Sequence, residues 1–231
     1  MTSILLTEDL PDELASLVCC EQLLGHGSRV RQYCSVVPGL LQTPSYAAEA
    51  HQAGAVPVSG DELDLRVRLR MARQKAWLGE ATFDFLLDES AIRRDVGAPT
   101  EMFRQLAYLL AVAARRNVTI RVLPYAVGIY AGITHGFQVL EVSPGNVYVY
   151  CEAIGTDYFE LNPPELGLYT AVFERAATAA LSPEESRMLI NEAMNGLPPR
   201  LLAPQPSMPV HCKLPVRRLR WTGRLCHYFF S

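Results

Sequence analysis

Residues 137–152 read Phe137-Gln-Val-Leu-Glu-Val-Ser-Pro-Gly-Asn-Val-Tyr-Val-Tyr-Cys-Glu152. Two runs, near 137–142 and 147–152, read as strands, and Ser143-Pro144-Gly145-Asn146 between them is a tight-turn signal. This is a β-hairpin, which forces antiparallel pairing. Upstream, Val118, Ile120 and Val122 mark a strand closed by Pro124, and Phe83, Phe85 and Leu87 mark another that ends at Asp88-Glu89-Ser90. Residues 29–37 alternate loosely up to Pro38-Gly39, and a short strand is expected near Asp157 to Leu161. Strands separated by helices, followed by a hairpin, are not a regular βαβ series. The pattern predicts a single α+β domain over residues 1–195, with a mixed, mostly antiparallel sheet flanked by helices.

The helices carry their own punctuation. Asp9 to roughly Leu24 places Leu14, Leu17, Val18 and Leu24 on one side. Thr43-Pro44 opens a short helix, with Thr at the N-cap and Pro at the first turn. Residues 61–78 show two apolar arcs, one through Leu63, Val67, Met71 and Leu78 and one through Leu65, Leu69, Ala72 and Ala76. Two arcs predict a helix packed between layers. A helix from about Thr100 to Arg116 buries Met102, Leu106, Leu109 and Ala113 and ends on the basic Arg115-Arg116. Pro163-Pro164 begins another helix. Ser182-Pro183-Glu184-Glu185 is a capping box that starts the last one, and Gly196 stops it.

Composition narrows the function classes. The chain has 231 residues, 49% of them apolar, which supports a sizeable folded core. No apolar window approaches the length of a membrane span, and the N-terminus meets acids without a basic leader, so a cytoplasmic protein is expected. The six cysteines are scattered and read as buried hydrophobes or free thiols; no metal and no cofactor are expected. Residues 1–192 carry all 24 acids and about −9 net charge, whereas 193–231 carry six basic residues and no acid. An acidic body offers no broad basic footprint for duplex DNA, which leaves the Pro-rich linker and basic tail over 196–231 as the one candidate for nonspecific nucleic-acid contact.

No phosphate loop, GxGxxG, GxSxG, HExxH or paired CxxC occurs, so standard nucleotide, hydrolase and zinc chemistries are disfavoured. Three places remain. The loop Gly128-Ile-Tyr-Ala-Gly-Ile-Thr-His-Gly136 holds three glycines, and Tyr125, Tyr130 and His135 are candidates for the mouth of a pocket, His135 with an acid–base pKa; the plainer reading is a loop with an exposed histidine. Arg66, Arg70 and Arg73 share a helix strip beside Trp77. They either pair with the domain's own carboxylates or contact an anionic ligand. Asp88 and Glu89 end a strand beside Arg93 and Arg94; neighbours on a strand point apart, so a structural ion pair of Glu89 with an arginine is expected. Should the protein be an enzyme, His135, Tyr130 and Glu89 are the candidates for catalysis.

Several collinear segments carry a family resemblance: Val37-Pro-Gly-Leu-Leu-Gln-Thr-Pro-Ser-Tyr-Ala47, Leu87-Asp-Glu-Ser-Ala-Ile-Arg-Arg94, Asn117-Val-Thr-Ile-Arg-Val-Leu-Pro124 and Ala180-Leu-Ser-Pro-Glu-Glu-Ser-Arg187, with Arg73-Gln74 and Ala131-Gly132. Over roughly residues 10–192 the chain resembles the C-terminal domain of bacterial antitoxin-like helix-turn-helix transcriptional regulators. The resemblance implies regulation through a ligand or a small protein partner. The matching region begins so early that no helix-turn-helix is expected before it, and therefore no sequence-specific DNA reading. The expectation is a stand-alone ligand- or partner-binding regulatory domain that takes a small molecule or small protein, with a homodimer left open. The alternative is a small-molecule enzyme of cyclase or isomerase type, from natural-product biosynthesis, that re-uses the same pocket.

Overall fold

A computed structural model describes residues 17–18, 20–21, 23–54, 58–77, 81–152 and 158–197, with 75–77 placed in a helix but not described by side chain. Six strands form: β1 (Arg29–Cys34), β2 (Thr82–Asp88), β3 (Val118–Leu123), β4 (Phe137–Ser143), β5 (Asn146–Cys151) and β6 (Tyr158–Leu161). They form one sheet in the order β3-β2-β1-β4-β5-β6. β1 pairs parallel to β2, and β2 parallel to β3. β1–β4, β4–β5 and β5–β6 are antiparallel. The predicted mixed, mostly antiparallel α+β sheet is what forms. The predicted strand over 29–37 ends at Cys34, ahead of Pro38.

Among the described residues from Arg29 onward, six helices accompany the sheet: α1 (Pro44–Gln52), α2 (Asp61–Trp77), the single turn α3 (Ser90–Arg93), α4 (Pro99–Val112), α5 (Leu166–Ala179) and α6 (Pro183–Asn195). The two caps expected from sequence are made. Thr43 accepts from the Tyr46 amide at the start of α1, and Ser182 and Glu185 form a reciprocal box at the start of α6. The 143–146 turn closes through Pro144 and Gly145, whose φ of +83° is a conformation glycine adopts without strain.

Strand alternation divides the core in two. Val30, Phe83, Phe85, Leu87, Ile120 and Val122 face one side and pack with residues of α1, α4 and α6. Tyr33, Leu86, Leu123, Phe137, Val139 and Val149 face the other and meet Phe173, Ala176 and Ala177 of α5. Each such buried side chain stabilises the fold by roughly 1.5–3 kcal/mol before entropy is charged against it. No helix of the described residues is long and apolar enough to cross a membrane.

Two helix expectations change. α4 ends at Val112 with Ala113 as its cap, so Arg115 and Arg116 lie in the turn beyond it, not in its last turn. α2 is not packed between layers: Leu65 is 40% exposed, and among its described side chains the buried one is the polar Gln74. Its contact is made by hydrogen bonds rather than by an apolar arc. Gln74 Nε2 donates to the carbonyls of Gly39 (3.0 Å) and Gln42 (2.6 Å). Gln105 of α4 closes the same turn from the other side, accepting from the Thr43 amide (2.7 Å) and donating to the Leu41 carbonyl (2.6 Å). These buried glutamines direct their amide donors to backbone carbonyls, which ties the turn over residues 39–43 to α2 and α4.

Of the predicted helix over 9–24, residues 17, 18, 20 and 21 are helical, and Leu17, Val18 and Leu24 are buried as expected; Leu14 lies outside the described residues. So does the basic tail from residue 198 onward.

Candidate functional site

The three parallel strands all end on one edge of the sheet, and an open cavity of about 370 Å³ lies there. β1 contributes Tyr33 and leads to Ser35, β2 contributes Asp88 and leads to Ser90, and β3 leads to Pro124 and Tyr125. In open sheets with parallel strands, carboxyl ends are where crevices form, at the point where the chain reverses its direction of travel across the sheet. Here the chain steps outward from β1 to β3 and then returns to β4 on the far side of β1. The loop that makes this return, residues 124–136, covers the cavity with Gly128, Tyr130 and Ile133.

The floor is a chain of hydroxyls ending on a carboxylate. Tyr130 donates its hydroxyl to Asp88 Oδ2 at 2.6 Å. With that proton committed, its oxygen accepts from the Tyr33 hydroxyl 2.8 Å away. The other Asp88 oxygen, Oδ1, accepts from the Ser90 amide at 2.9 Å, and Ser90 Oγ donates to the Ser35 carbonyl at 3.0 Å. Burial, and then the bonds to Asp88 and Tyr33, push the Tyr130 phenol far above its ordinary value, so it stays a donor at every physiological pH. Burial likewise raises Tyr33. The rings of Tyr33 and Tyr130 meet edge to face at 5.9 Å, and Phe137 extends the aromatic run beneath them.

The rim is apolar and open. Tyr125 is 60% exposed and Ile133 39%, both lining the cavity, and Ile129 at the loop tip is 92% exposed. Arg94 lines the same cavity and has no ion pair among the described residues. The arrangement is an apolar mouth, one cation at the wall and a floor whose hydrogen bonds are already made.

The sequence-derived candidates divide. Tyr125 and Tyr130 line the cavity together. His135 is exposed, its ring bonds its neighbour Thr134 at 2.9 Å, and it is not among the lining residues. Glu89 points away from Asp88, as neighbours at a strand end should. It is the expected ion pair, accepting from Arg93 Nε at 3.1 Å, and its second oxygen accepts from the Tyr125 amide at 2.7 Å, which pins the start of the loop. Arg66 and Arg70 lie on α2, in the layer on the other face of the sheet. Arg66 pairs with Glu62 at 2.7 Å, and Arg70 donates to Gln42 Oε1 at 2.7 Å. The Trp77 side chain lies outside the described part of the chain.

Tyr33, Ser35 and Ser90 are cavity residues that sequence reading passes over, and Arg94 is read only as a neighbour of the Glu89 ion pair. Asp88 is read only beside Glu89, with no pocket assigned to it. The available signal is position: it ends a strand, and once that strand is known to be parallel its end becomes the place to look. Among the described residues no three His, Cys, Asp or Glu side chains are grouped as metal ligands would be. Cys34 and Cys151 are free thiols, and burial pushes Cys34 up to about 12, which makes it unreactive.

No curated protein and no solved structure matches the chain. One family does, over residues 27–192, a span that begins two residues before β1 and ends within α6, and so takes in every strand and the cavity between their ends. The chain belongs to that family, described as a domain of unknown function (DUF5753).

Proposed function

We propose that this chain is a ligand-binding regulatory domain, the effector half of an antitoxin-like regulator, and that the cavity at the carboxyl ends of β1–β3 is its ligand site. One observation carries the reading: an open cavity of about 370 Å³ with an exposed apolar rim sits over a floor whose polar groups are already paired. That volume falls in the range of small-molecule sites, and apolar walls with a few placed polar groups are their usual lining. The ligand class is an apolar body bearing an anionic group, the first for Tyr125 and Ile133 and the second for Arg94. The 124–136 loop, which covers the site, is the element whose order a ligand would change, and a regulatory partner would read that change.

A cyclase or isomerase at this site needs a free acid or base. Both Asp88 oxygens are engaged, Tyr130 is held protonated, and His135 stands outside the cavity, so binding is the better supported use.

The test uses 8-anilinonaphthalene-1-sulfonate, an apolar fluorophore with one negative charge. Saturable fluorescence enhancement is expected with the unaltered chain, weakened by about tenfold or more in Ile133→Asp and in Arg94→Gln. Substitution at Ile129, exposed but not among the lining residues, should leave it unchanged. Enhancement that persists in both cavity variants would sink the assignment.

A further inference from the structure

The cavity at the carboxyl ends of β1–β3 holds one charge of each sign that the protein leaves without a countercharge. Asp88 stands half-buried at the end of β2, and Arg94 lies directly after α3; both line the cavity. Among the described residues neither takes part in an ion pair. Charged groups on either side of them do. Asp84, on the same face of β2, accepts two bonds from Arg121 at 3.0 Å each and has Arg29 at 3.7 Å. Glu89 has Arg93 at 3.1 Å, and Arg93 also has Glu192 at 3.0 Å. Pairing thus stops at the two groups that line the cavity.

Asp88 does not need its charge for the bonds it makes. Its donors, the Ser90 amide at 2.9 Å and the Tyr130 hydroxyl at 2.6 Å, are neutral. They occupy two of the roughly four lone-pair sites of a carboxylate, so a further donor can be accepted. The backbone holds the two charges in fixed relation. The Arg93 amide donates to the Glu89 carbonyl at 3.1 Å and the Arg94 amide to the Ser90 carbonyl at 2.9 Å, so one tight turn separates Asp88 from Arg94. A charge in the wall of a partly enclosed cavity attracts an ion of opposite sign, and repels one of like sign, more strongly than it does in open water. Two such charges of opposite sign select a molecule that carries both.

Resting on the reading of this cavity as the ligand site, we propose that its ligand is a small apolar zwitterion of the amino-acid class. The ammonium goes to Asp88, the carboxylate to Arg94, whose planar fork matches it, and the side chain to Tyr125 and Ile133. Tyr33, Tyr125 and Tyr130 line the same cavity, and aromatic rings attract an ammonium as well. A volume of about 370 Å³ lies at the small end of ligand sites and suits one amino acid better than a peptide. A carboxylate without an ammonium leaves Asp88 to repel it, and an ammonium without a carboxylate leaves Arg94 to repel it. Either half alone is therefore disfavoured.

The experiment displaces 8-anilinonaphthalene-1-sulfonate from the full chain with L-phenylalanine and with its two halves. 3-Phenylpropionate keeps the ring and the carboxylate; 2-phenylethylammonium keeps the ring and the ammonium. L-Phenylalanine should displace the fluorophore saturably, at a concentration about tenfold or more below that needed of either half. Asp88→Asn should weaken L-phenylalanine by about tenfold and tighten 3-phenylpropionate, because the charge that repels a lone carboxylate is gone. The inference is overturned if either half displaces the fluorophore as readily as L-phenylalanine, or if Asp88→Asn weakens L-phenylalanine and 3-phenylpropionate alike. Should Asp88→Asn fail to fold, the comparison of the three compounds on the unaltered chain decides alone. A bound fluorophore that L-phenylalanine leaves in place overturns this inference only; a fluorophore that never binds saturably overturns the cavity reading and this inference with it.

Discussion

Tyr130 serves as both donor and acceptor in the cavity floor, and that makes its hydroxyl hard to remove. Tyr130→Phe leaves Asp88 Oδ2 without its 2.6 Å donor and Tyr33 without its 2.8 Å acceptor. Leaving such groups half-buried and unpaired costs about 1–3 kcal/mol, to be read as a drop in the urea midpoint with unchanged slope. Tyr125→Phe, whose ring is largely exposed, should move the midpoint by no more than about 0.5 kcal/mol. The sequence names Tyr130 as a pocket residue because of its glycine-bearing loop. It does not name Asp88, because the bond joins residues 42 apart and no local spacing records it. Glu89 was legible as an ion pair for the opposite reason: Arg93 is four residues away, one helical turn.

At the scale of elements, the 124–136 loop is held at Gly132. Its φ is +88°, and a Cβ built there would lie 2.8 Å from Val172 Cγ1 on α5. Gly132→Ala therefore meets both left-handed strain and a clash with a packed helix. It should lower stability by about 1–3 kcal/mol and weaken fluorophore binding at the cavity by displacing Tyr130 and Ile133, both measurable on one preparation. Caps and turns were legible because their signals are short: Thr43-Pro44, Ser182 to Glu185, and the 143–146 turn all form as read. Strand direction was not. Nothing in Phe83 to Asp88 says that β2 runs parallel to both neighbours; that is fixed by the α-helical crossovers and the burial of both sheet faces. α2 misled for a related reason. Its leucines suggest apolar packing, but the contact runs through Gln74 to carbonyls of a turn 32 and 35 residues away.

For the whole molecule, two buried groups set opposing pH dependences. Burial raises Glu21 from 4.5 to about 7, so the folded state takes up a proton more readily than the unfolded one. Its contribution is full below pH 4.5 and is lost as pH rises toward 7. Burial, then Arg70, Arg66 and Arg73, lower His51 from 6.5 to about 4, so its contribution is full above pH 6.5 and is lost as pH falls toward 4. Between 4.5 and 6.5 the two slopes have opposite sign and offset each other. Glu21→Gln should therefore leave a stability that rises with pH across that window, and His51→Gln one that falls. Chemical denaturation at half-unit pH steps reads both, and parallel curves for the two variants would contradict the assignment.

The central position of β1 has a further consequence for how the sheet opens. β4, β5 and β6 are joined by short connections, and Asn162 ties their turn, its side chain accepting from the Val147 amide at 2.9 Å and donating to the Gly145 carbonyl at 2.8 Å. β1, β2 and β3 pair only across long helical crossovers, so the two halves are separate candidates for cooperative opening, hinged at one shared strand. A ligand at the carboxyl ends of β1–β3 touches only one of them. Amide hydrogen exchange should then slow in β2 and β3 when the cavity is filled, while β5 and β6 keep their free-state rates. Equal protection across all six strands would mean that the sheet opens as one unit.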